Sequence, residues 1–479
     1  GLHHRAGADR PGVHQRRRGM VVFEQDRHDR IERQPRRIGA DLIDATSADD
    51  VFTAMSNWKE ERPQAPMALG MNLPETLMGD DLVDMLDEKF SSTPAVAFTA
   101  GAETCVLNSA ASARYGFTPE ACYAEMIWHL MRDYLPLQEV RDAYGDYMTM
   151  LNSRGVTAIK EMCFDDYYGF ADEMYRREQE GELTVRVDMM SQPVGHGADL
   201  DYACSARDRF QGDFVRFSGF NRMTDRGVWC GLAEMIDPYE EGADAGAGGK
   251  TVVEEPEWDL ISRELSEIDA QGFRYSLHCQ GDGAVRKTID LYERLPRDES
   301  GRLARRHSIT DLENSDPADL ARMGAIGGIC EVYPQILTLD KREDCLSTMR
   351  RQIGEKRLSR SWNRRAMVDG GCVLCCGTDL PLLIPHLGDS IYSACGGYFA
   401  DGLDVNPQNT VSVAELLRAW TAGGSYDLVR ENDFGTLEAG KLADICVLDR
   451  DVFAVDPKDA RDIQVSLTLS DGRVVYEDC

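Results

Sequence analysis

Three polar side chains come at the ends of short apolar runs. His278 ends "YSLH", Asp311 ends "HSITD" and Asp379 ends "CVLCCGTD". If these runs are parallel strands, the three side chains meet at the carboxyl edge of one sheet, where α/β barrels carry their chemistry. Imidazole and carboxylate groups can bind a divalent metal or transfer protons. These residues are therefore the first candidates for a metal-binding or catalytic site.

Each candidate also has a structural interpretation. His278 could be a core histidine bonded to backbone, and Asp311 could cap a helix or shape a loop. Asp379 could cap the segment that follows it. However, a carboxylate after six small or apolar residues is costly to bury unpaired. A buried Asp379 therefore requires a metal, a cation or a substrate proton.

Three basic or titratable residues could support such a site. Arg216 lies inside "FVRFSGF", where a guanidinium needs a partner, and Lys160 lies inside "GVTAIKE", where an outward-pointing lysine is the alternative. His307 precedes Asp311 by four residues, and a strand period of two places both side chains on one face. That face is either a pocket wall or a solvated edge.

The elements that must hold these residues alternate between strands and helices. Helical stretches such as "AVRKTIDLYERL" (284–295) separate several apolar runs, which predicts parallel βαβ units. A (β/α)8 barrel fits this number of units best. A doubly wound sheet is the runner-up, but no GxGxxG follows a first strand here, which argues against a dinucleotide site. The runs are 67–73, 95–100, 155–162, 184–190, 214–220, 275–280, 307–312, 326–333 and 372–379.

Three other segments differ from this pattern. Residues 236–256, which include "EEGADAGAGGK", predict a flexible loop over the barrel mouth. Residues 433–479 have short strands and turn signals without a helix, which predicts a small antiparallel sheet or sandwich. Residues 1–38 hold ten Arg and are interpreted either as a basic, disordered arm or as an out-of-frame start. We therefore expect a barrel over 39–432 between two distinct ends.

Charge and cysteine usage exclude some classes of function. The formal net charge of −30 disfavours nucleic acid and anionic membranes as partners. No apolar run approaches the ~18 residues of a membrane span, and the N-terminus lacks the apolar region of a signal peptide. The 14 cysteines form neither a disulfide framework nor a zinc ribbon. That usage is typical of reduced thiols, so we expect a cytoplasmic protein.

Four segments together resemble amidohydrolase family 3, the YtcJ-like branch that includes N-substituted formamide deformylases. They are "SLHCQGDGAVRKTIDLYE", "RRHSITDLENSDPADLARMGAIGGICEVYPQ", "CCGTDLPLLIPHLGDSIYSA", and "GTLEAGKLADICVLDRDVF" with "VSLTLSDGRVVYED". The resemblance covers about residues 45–479. It implies an α/β fold, a TIM-like barrel with a small β-sandwich built from both chain ends. It also implies a metal centre with water as the nucleophile.

The ligand set that the resemblance implies is only partly present. In this family the ligands are an HxH pair on the first barrel strand, a lysine on the fourth, histidines on the fifth and sixth, and an aspartate on the eighth. The resemblance places His278 and Asp379 at the fifth and eighth positions. Asp311 takes the place of the sixth-strand histidine, and Arg216 takes the place of the lysine and cannot be a ligand. The HxH pair is missing.

Two functions follow from the resemblance. The first is a hydrolase that cleaves an amide or another non-peptide C–N bond of a small molecule with metal-activated water. One divalent ion, zinc, would be bound by His278, Asp311 and Asp379, and Asp379 would be the catalytic base. The alternative is a metal-free or catalytically impaired homologue that binds a small ligand in the barrel mouth. Either protein would have a small molecule as its partner and, as in similar proteins, a homodimer as its assembly.

The supporting residues differ between the two functions. In the metal-free alternative, Arg216 supplies the positive charge by pairing with Asp311 and Asp379. Lys160 is a further charge partner. His307 belongs to the start of the sixth strand and is expected to be structural or to support the ligands.

Overall fold

The computed structural model describes residues 39–99, 105–115, 137–163, 170–192, 197–380 and 382–478. The Arg-rich segment 1–38 lies outside the described residues. The chain divides into two compact units, residues 1–150 with 166–173 and residues 151–165 with 174–479. No described helix is long and apolar enough to cross a membrane.

The first unit is built on a four-stranded sheet. Its elements are β1 (Ala40–Asp41), α1 (Ala48–Glu61), β2 (Ala68–Leu73), α2 (Asp80–Phe90), β3 (Ala95–Thr99), β4 (Cys105–Leu107) and α3 (Ser109–Tyr115). The strand order is β1-β2-β3-β4, and only β3 and β4 are antiparallel. Helix α1 begins after Ser47, which accepts a hydrogen bond from the N–H of Asp50. Its Val51, Met55 and Trp58 recur at helical spacing and are buried.

The second unit is built on a sheet of seven parallel strands. Helices α4 (Leu137–Ser153) and α5 (Phe170–Gln179) contain residues of both units. The strand order is the chain order, and each neighbouring pair is parallel. The strands are β5 (Ala158–Cys163), β6 (Arg186–Ser191), β7 (Val215–Met223), β8 (Arg274–Cys279), β9 (Ser308–Asp311), β10 (Ile329–Val332) and β11 (Val373–Cys376).

Helices follow most of these strands, as in a βαβ fold. Two π-helical segments, 391–395 and 419–423, lie among them. The helices are α6 (Leu200–Arg209), α7 (Trp258–Ala270), α8 (Asp282–Tyr292), α9 (Pro317–Ala325), α10 (Arg342–Leu358), α11 (Arg364–Asp369), α12 (Leu387–Ser390), α13 (Val413–Arg418) and α14 (Gly424–Asp427).

A contact between distant strands shows that the seven-stranded sheet is curled. Lys160 on β5 forms an ion pair with Glu331 on β10, although β5 and β10 are five steps apart in the sheet order. A flat sheet would separate them by about 24 Å, since neighbouring strands lie about 4.8 Å apart. No Lys and Glu side chains span that distance. The sheet is therefore the wall of a TIM-like barrel, which confirms the predicted α/β fold class.

The predicted strands are found, but they divide between two sheets. Seven of the nine apolar runs become β5 to β11. The runs 67–73 and 95–100 become β2 and β3, which pair with each other in the first unit. Apolar runs therefore predicted the strands correctly, whereas their pairing was not visible in the sequence.

The C-terminal strands form an antiparallel sheet, as the turn signals predicted. The strands are β12 (Ile445–Leu448), β13 (Val465–Ser470) and β14 (Arg473–Glu477). Asp471 and Gly472 connect β13 to β14 with φ values of 50° and 74°. Two positive φ values identify a type I′ turn, whose twist matches an antiparallel hairpin.

The predicted flexible loop is wrong for residues 239–247. Tyr239 and Ala247 are buried in an apolar cluster with Met349 and Ile353 of α10. The N–H of Asp244 also donates to the side chain of Gln352 at 2.9 Å. Scattered apolar residues in a Gly- and Ala-rich segment are enough to pack it against a helix.

Breaking the contact between Lys160 and Glu331 should destabilise the barrel strongly. Each single variant, Lys160→Met or Glu331→Leu, leaves a buried charge behind, and we expect losses of about 3–5 kcal/mol in the free energy of unfolding. The double variant should recover much of this loss because neither charge remains. Urea unfolding of the four proteins measures the coupling.

An exposed pair is the matched control. Arg350 and Glu355 are 2.6 Å apart and largely exposed, so Arg350→Ala should change stability little. Additive losses in the Lys160 and Glu331 variants would contradict a coupled buried pair.

Candidate active site at the carboxyl ends of the barrel strands

The inner face of the curled sheet carries polar side chains. On β8, Ser276 and His278 point inward and contact Thr310 and Asp311 of β9. Tyr275 points outward and bonds Glu264 of α7. Since all seven strands are parallel, their carboxyl ends share one edge, and His278 lies at that edge.

His278 and Asp311 are in direct contact at this edge. Nε2 of His278 lies 2.5 Å from Oδ2 of Asp311, and both side chains are at most 10% exposed. The buried side-chain amide of Gln280 donates to the same oxygen at 3.0 Å and lies 3.3 Å from Nε2 of His278. The carboxylate therefore fixes the orientation of the imidazole. In a neutral ring with its proton on Nε2, the lone pair is on Nδ1.

An unusual backbone conformation brings Asp311 to this position. In the strand register Asp311 lies opposite Cys279, whose thiol contacts Thr288 of α8 outside the sheet. Regular alternation would turn Asp311 outward as well. Its φ of 79° breaks the alternation, at the cost expected for a left-handed non-glycine residue. The prediction that His307 and Asp311 share one strand face is therefore wrong.

His307 has a structural role in the outer layer. Its Nδ1 accepts the backbone N–H of Tyr275 at 2.9 Å, and its Nε2 lies 3.0 Å from Asp269 of α7. The ring also stacks on Tyr292 of α8. Burial lowers the pKa of His307, so the ring stays neutral near pH 7. These contacts connect β8, α7 and α8 through one side chain.

Asp225 holds the turn that carries Gln280. Its carboxylate accepts the backbone N–H groups of Gln280 at 2.8 Å, Gly281 at 3.0 Å and Glu234 at 2.9 Å. Burial raises the pKa of Asp225 to about 6. Position 281 must be glycine, because a Cβ there would lie 2.0 Å from the carbonyl oxygen of Glu234. These contacts explain why glycine follows Gln280 in the "HCQGD" segment.

An ionic layer lies beneath the candidate site. Ser276, one inward position below His278 on β8, lies 3.5 Å from Nζ of Lys160 and 3.4 Å from Glu331. Arg274, one position lower again, pairs with Asp427 and lies 3.6 Å from Glu331. Burial opposes ionisation of Glu331, but Lys160 and Arg274 hold its pKa below the ordinary value. Lys160 is thus a largely buried charge partner inside the barrel, not an outward-pointing lysine.

Asp188 is a weakened acid of this layer. It lies 3.8 Å from Arg274 and is buried on β6. Burial raises its pKa to about 7, although Arg274 opposes the shift. The group therefore carries a proton over much of the acidic range.

Arg216 does not take the role expected of it. Its Nε donates to the carbonyl oxygen of Gly212 at 3.1 Å, and its Nη2 lies 3.9 Å from Asp433. Gly212 precedes β7, so the guanidinium is directed to the amino ends of the strands. Among the described residues it contacts neither Asp311 nor Asp379. The predicted pairing of Arg216 with these two carboxylates is therefore wrong.

Asp379 follows β11 at the same edge as His278. It is partly exposed and has a φ of 49°, and its carbonyl oxygen accepts the N–H of Leu382 at 2.7 Å. The backbone therefore turns sharply directly after the strand, in a conformation that is uncommon for a non-glycine residue. Its catalytic and metal-binding roles stay predictions.

The described residues do not fit a complete metal site. They contain no group of three or more His, Cys, Asp or Glu side chains arranged to hold a metal ion. Two ligands of one tetrahedral zinc ion lie about 3.3 Å apart, since each is about 2.0–2.1 Å from the metal. His278 and Asp311 are closer, at 2.5 Å. Their arrangement is that of a charged hydrogen bond.

Several residues of the site were not among the sequence candidates. Gln280 follows His278 by two positions and so shares its strand face, a signal that the spacing contained. Glu331 in "ICEVY" is a carboxylate inside an apolar run, the same kind of signal as Asp379. Asp225 comes two residues after the end of β7. Arg274 and Asp427 are too far apart in sequence for any local pattern to connect them.

Comparison with known proteins identifies the family. The model of the amidohydrolase family matches residues 38–476, so the chain belongs to this family. This confirms the resemblance found in the sequence.

Individual relatives are distant and longer. YtcJ of Bacillus subtilis (strain 168), a protein named as an amidohydrolase, is 23% identical over 273 residues, which are 56% of this chain and 49% of that protein. N-substituted formamide deformylase of Arthrobacter pascens is 25% identical over 252 residues, 50% of this chain and 43% of that enzyme. The chain thus spans about half or less of the length of the curated relatives that it matches.

A solved structure supports the fold. An uncharacterized metal-dependent hydrolase from Pyrococcus horikoshii OT3 superposes with a TM-score of 0.63 at 17% identity, covering 88% of this chain and 83% of that one. At this identity the likeness establishes the barrel fold alone.

Asp188 should make stability fall as the pH rises. Its pKa is about 7 in the folded protein and 3.8 ordinarily, so between these values the folded protein binds the extra proton. The contribution of this proton to the free energy of unfolding is complete below about pH 4. As the pH rises from about 4 through 7, the contribution is lost at about 1.4 kcal/mol per pH unit. Asp188→Asn should remove this slope in urea unfolding between about pH 5 and about pH 8.

The control is Asp298→Asn. Asp298 is exposed and its pKa is lowered by hydrogen bonds from Ser300 and Arg302, so it is ionised in both states across this range. Its stability curve should run parallel to that of the unmodified protein. Parallel curves for Asp188→Asn as well would contradict the raised pKa.

Proposed function

We propose that this protein is a hydrolase that cleaves an amide or another non-peptide C–N bond of a small molecule. The observation that carries the proposal is the buried pair of His278 and Asp311, held by Gln280 at the carboxyl edge of the barrel. Membership of the amidohydrolase family supports it, and so does the name of the formamide deformylase relative. A polar pocket edge built on rigid strands suits a catalytic group.

In the proposed reaction His278 is the general base. Asp311 accepts its Nε2–H, and Nδ1 removes a proton from water as the water oxygen attacks the carbonyl carbon. The proton then passes to the nitrogen as the C–N bond breaks, which gives a carboxylic acid and an amine. Asp379, at the same edge, is the second candidate base. No step is assigned to a metal, because the described donors do not complete a site.

Loss of the imidazole or its carboxylate partner should abolish most of the activity. With a panel of small amides, His278→Ala and Asp311→Asn should each lower kcat/KM by about 10²–10⁴-fold, the usual contribution of a positioned acid or base. Asparagine suits position 311, because it tolerates a positive φ. Steady-state kinetics on the panel measures the loss.

Two comparisons make the kinetic result specific. Asp298→Asn removes an exposed carboxylate in a turn and should leave kcat/KM unchanged. Asp379→Asn assigns the second base, since a loss equal to that of His278→Ala would place both residues in the same step. Full activity in His278→Ala would sink the proposal.

Metal content separates the predicted zinc mechanism from the metal-free mechanism in which His278 is the general base. Because His278 and Asp311 bond each other directly, we expect well under one equivalent of zinc, iron or manganese in protein purified without chelator. Elemental mass spectrometry measures it. A full equivalent that disappears in His278→Ala and Asp379→Ala would contradict this expectation and support the predicted zinc ligands.

A second candidate function is binding without turnover. The same direct contact favours it, since it engages both side chains that would otherwise be metal ligands. A small ligand would then raise the thermal stability without being consumed. The expected homodimer and cytoplasmic location also belong to the proposal, and the location is supported by the absence of disulfides among the described cysteines.

A further inference from the structure

One buried arginine differs from the others in its surroundings. Five described arginines are buried, and four of them lie within 4.0 Å of a carboxylate. The exception is Arg364, the first residue of α11, which has no carboxylate within that distance among the described residues. The paired ones are Arg177 with Glu182, Arg186 with Asp444, Arg274 with Asp427 and Arg430 with Asp433.

The guanidinium of Arg364 has few hydrogen bonds. Its Nη2 donates to the carbonyl oxygen of Tyr333 at 3.0 Å, and its Nε is buried without an acceptor in the described part of the chain. The titratable groups that interact electrostatically with it are the thiols of Cys376 and Cys395. Burial raises the pKa of both thiols, so they are uncharged. They cannot offset the positive charge.

Arg364 lies beside the ends of β10 and β11, and its Nη2 contacts Tyr333 directly after β10. Cys375 is paired in register with Glu331, whose carboxylate faces the barrel interior. Cys376 therefore faces outward, toward the helices. The Arg364 guanidinium bonds the carbonyl oxygen of Tyr333 and interacts electrostatically with the Cys376 thiol, which places it by the layer between β11 and the surrounding helices.

Two other donors in this layer also lack partners. Nε1 of Trp420 and Oγ of Ser393 are buried without a hydrogen bond in the described residues. Trp420 packs against the same apolar cluster as Cys376 and Cys395, and Ser393 lies two residues before Cys395. Both donors belong to the π-helical segments 419–423 and 391–395. Such segments are rare and frequently mark functional sites.

An isolated buried charge is unfavourable unless it has a counterion. Burial lowers the pKa of Arg364 to about 10, so the group is still charged near pH 7. Leaving such a charge unpaired costs several kcal/mol, and an N–H or O–H group buried without an acceptor adds to the cost. A bound anion would offset the charge of Arg364 and give its Nε an acceptor.

We propose that Arg364 binds a small monovalent inorganic anion such as chloride in the layer behind β11. One guanidinium balances one negative charge, which favours a monovalent ion over a phosphate. The apolar cluster and the neutral thiols offer few donors for the several oxygens of an oxyanion. The indole N–H of Trp420 and the hydroxyl of Ser393 are the additional donors. This site does not depend on the proposed hydrolase activity.

A chloride titration tests the proposal. At constant ionic strength, with gluconate replaced by chloride, the Tm of the unmodified chain should rise with the logarithm of the chloride concentration above the Kd. Arg364→Met should lose this chloride-dependent shift. Arg365→Met is the matched control, because Arg365 is the next residue of the same helix and pairs with Glu415 and Asp369. It should keep the full shift.

A Tm that ignores chloride in the unmodified chain would overturn the proposal, as would an unchanged shift in Arg364→Met. If Arg364→Met does not fold, bromide decides the question in crystals of the unmodified chain. An anomalous peak beside the Arg364 guanidinium would support the anion site. Bromide peaks elsewhere with none at Arg364 would overturn it.

Discussion

The ion pair between Lys160 and Glu331 is the constraint on which the rest of the second unit depends. It joins β5 to β10 across the interior of the sheet, and it forms only because the sheet is curled. The curl brings the carboxyl ends of β8, β9 and β11 toward a common axis. Only then can residues as far apart in sequence as His278 and Asp379 belong to one site.

The interior beneath that site is ionic, whereas TIM barrels commonly fill theirs with branched apolar residues. Two cations, Lys160 and Arg274, face the carboxylates of Glu331, Asp427 and Asp188. A proton on Asp188 leaves two cations with two carboxylates, so the layer is electrically neutral. Burial is the main cause that raises the pKa of Asp188 to about 7, and the charge of Arg274 opposes the shift. The layer below the candidate active site therefore contains a proton-sensitive group.

The sequence predicted the local structure well and the long-range contacts poorly. Apolar runs located β5 to β11, and turn signals located the Asp-Gly turn of the C-terminal hairpin. Both kinds of feature depend on neighbouring residues in the sequence. Side-chain alternation failed at Asp311, where a φ of 79° overrides the pleat. The expectation for Arg216 failed because the direction of a long side chain depends on tertiary partners, here Gly212 and Asp433. The role of Asp225 became visible only when the turn and its hydrogen bonds were known, whereas the two-residue spacing from His278 already pointed to Gln280.

Asp311 controls what chemistry the barrel mouth can perform. To share a tetrahedral metal with His278, its carboxylate would have to move away by almost 1 Å, since such ligands lie about 3.3 Å apart. That movement would break the bond to Nε2 of His278 and disturb the one from Gln280. The same movement would require further adjustment of the Asp311 backbone, which is already in a left-handed conformation. A metal-bound state and the His278–Asp311 pair therefore compete for the same groups. The backbone of Asp311 and the turn held by Asp225 favour the pair.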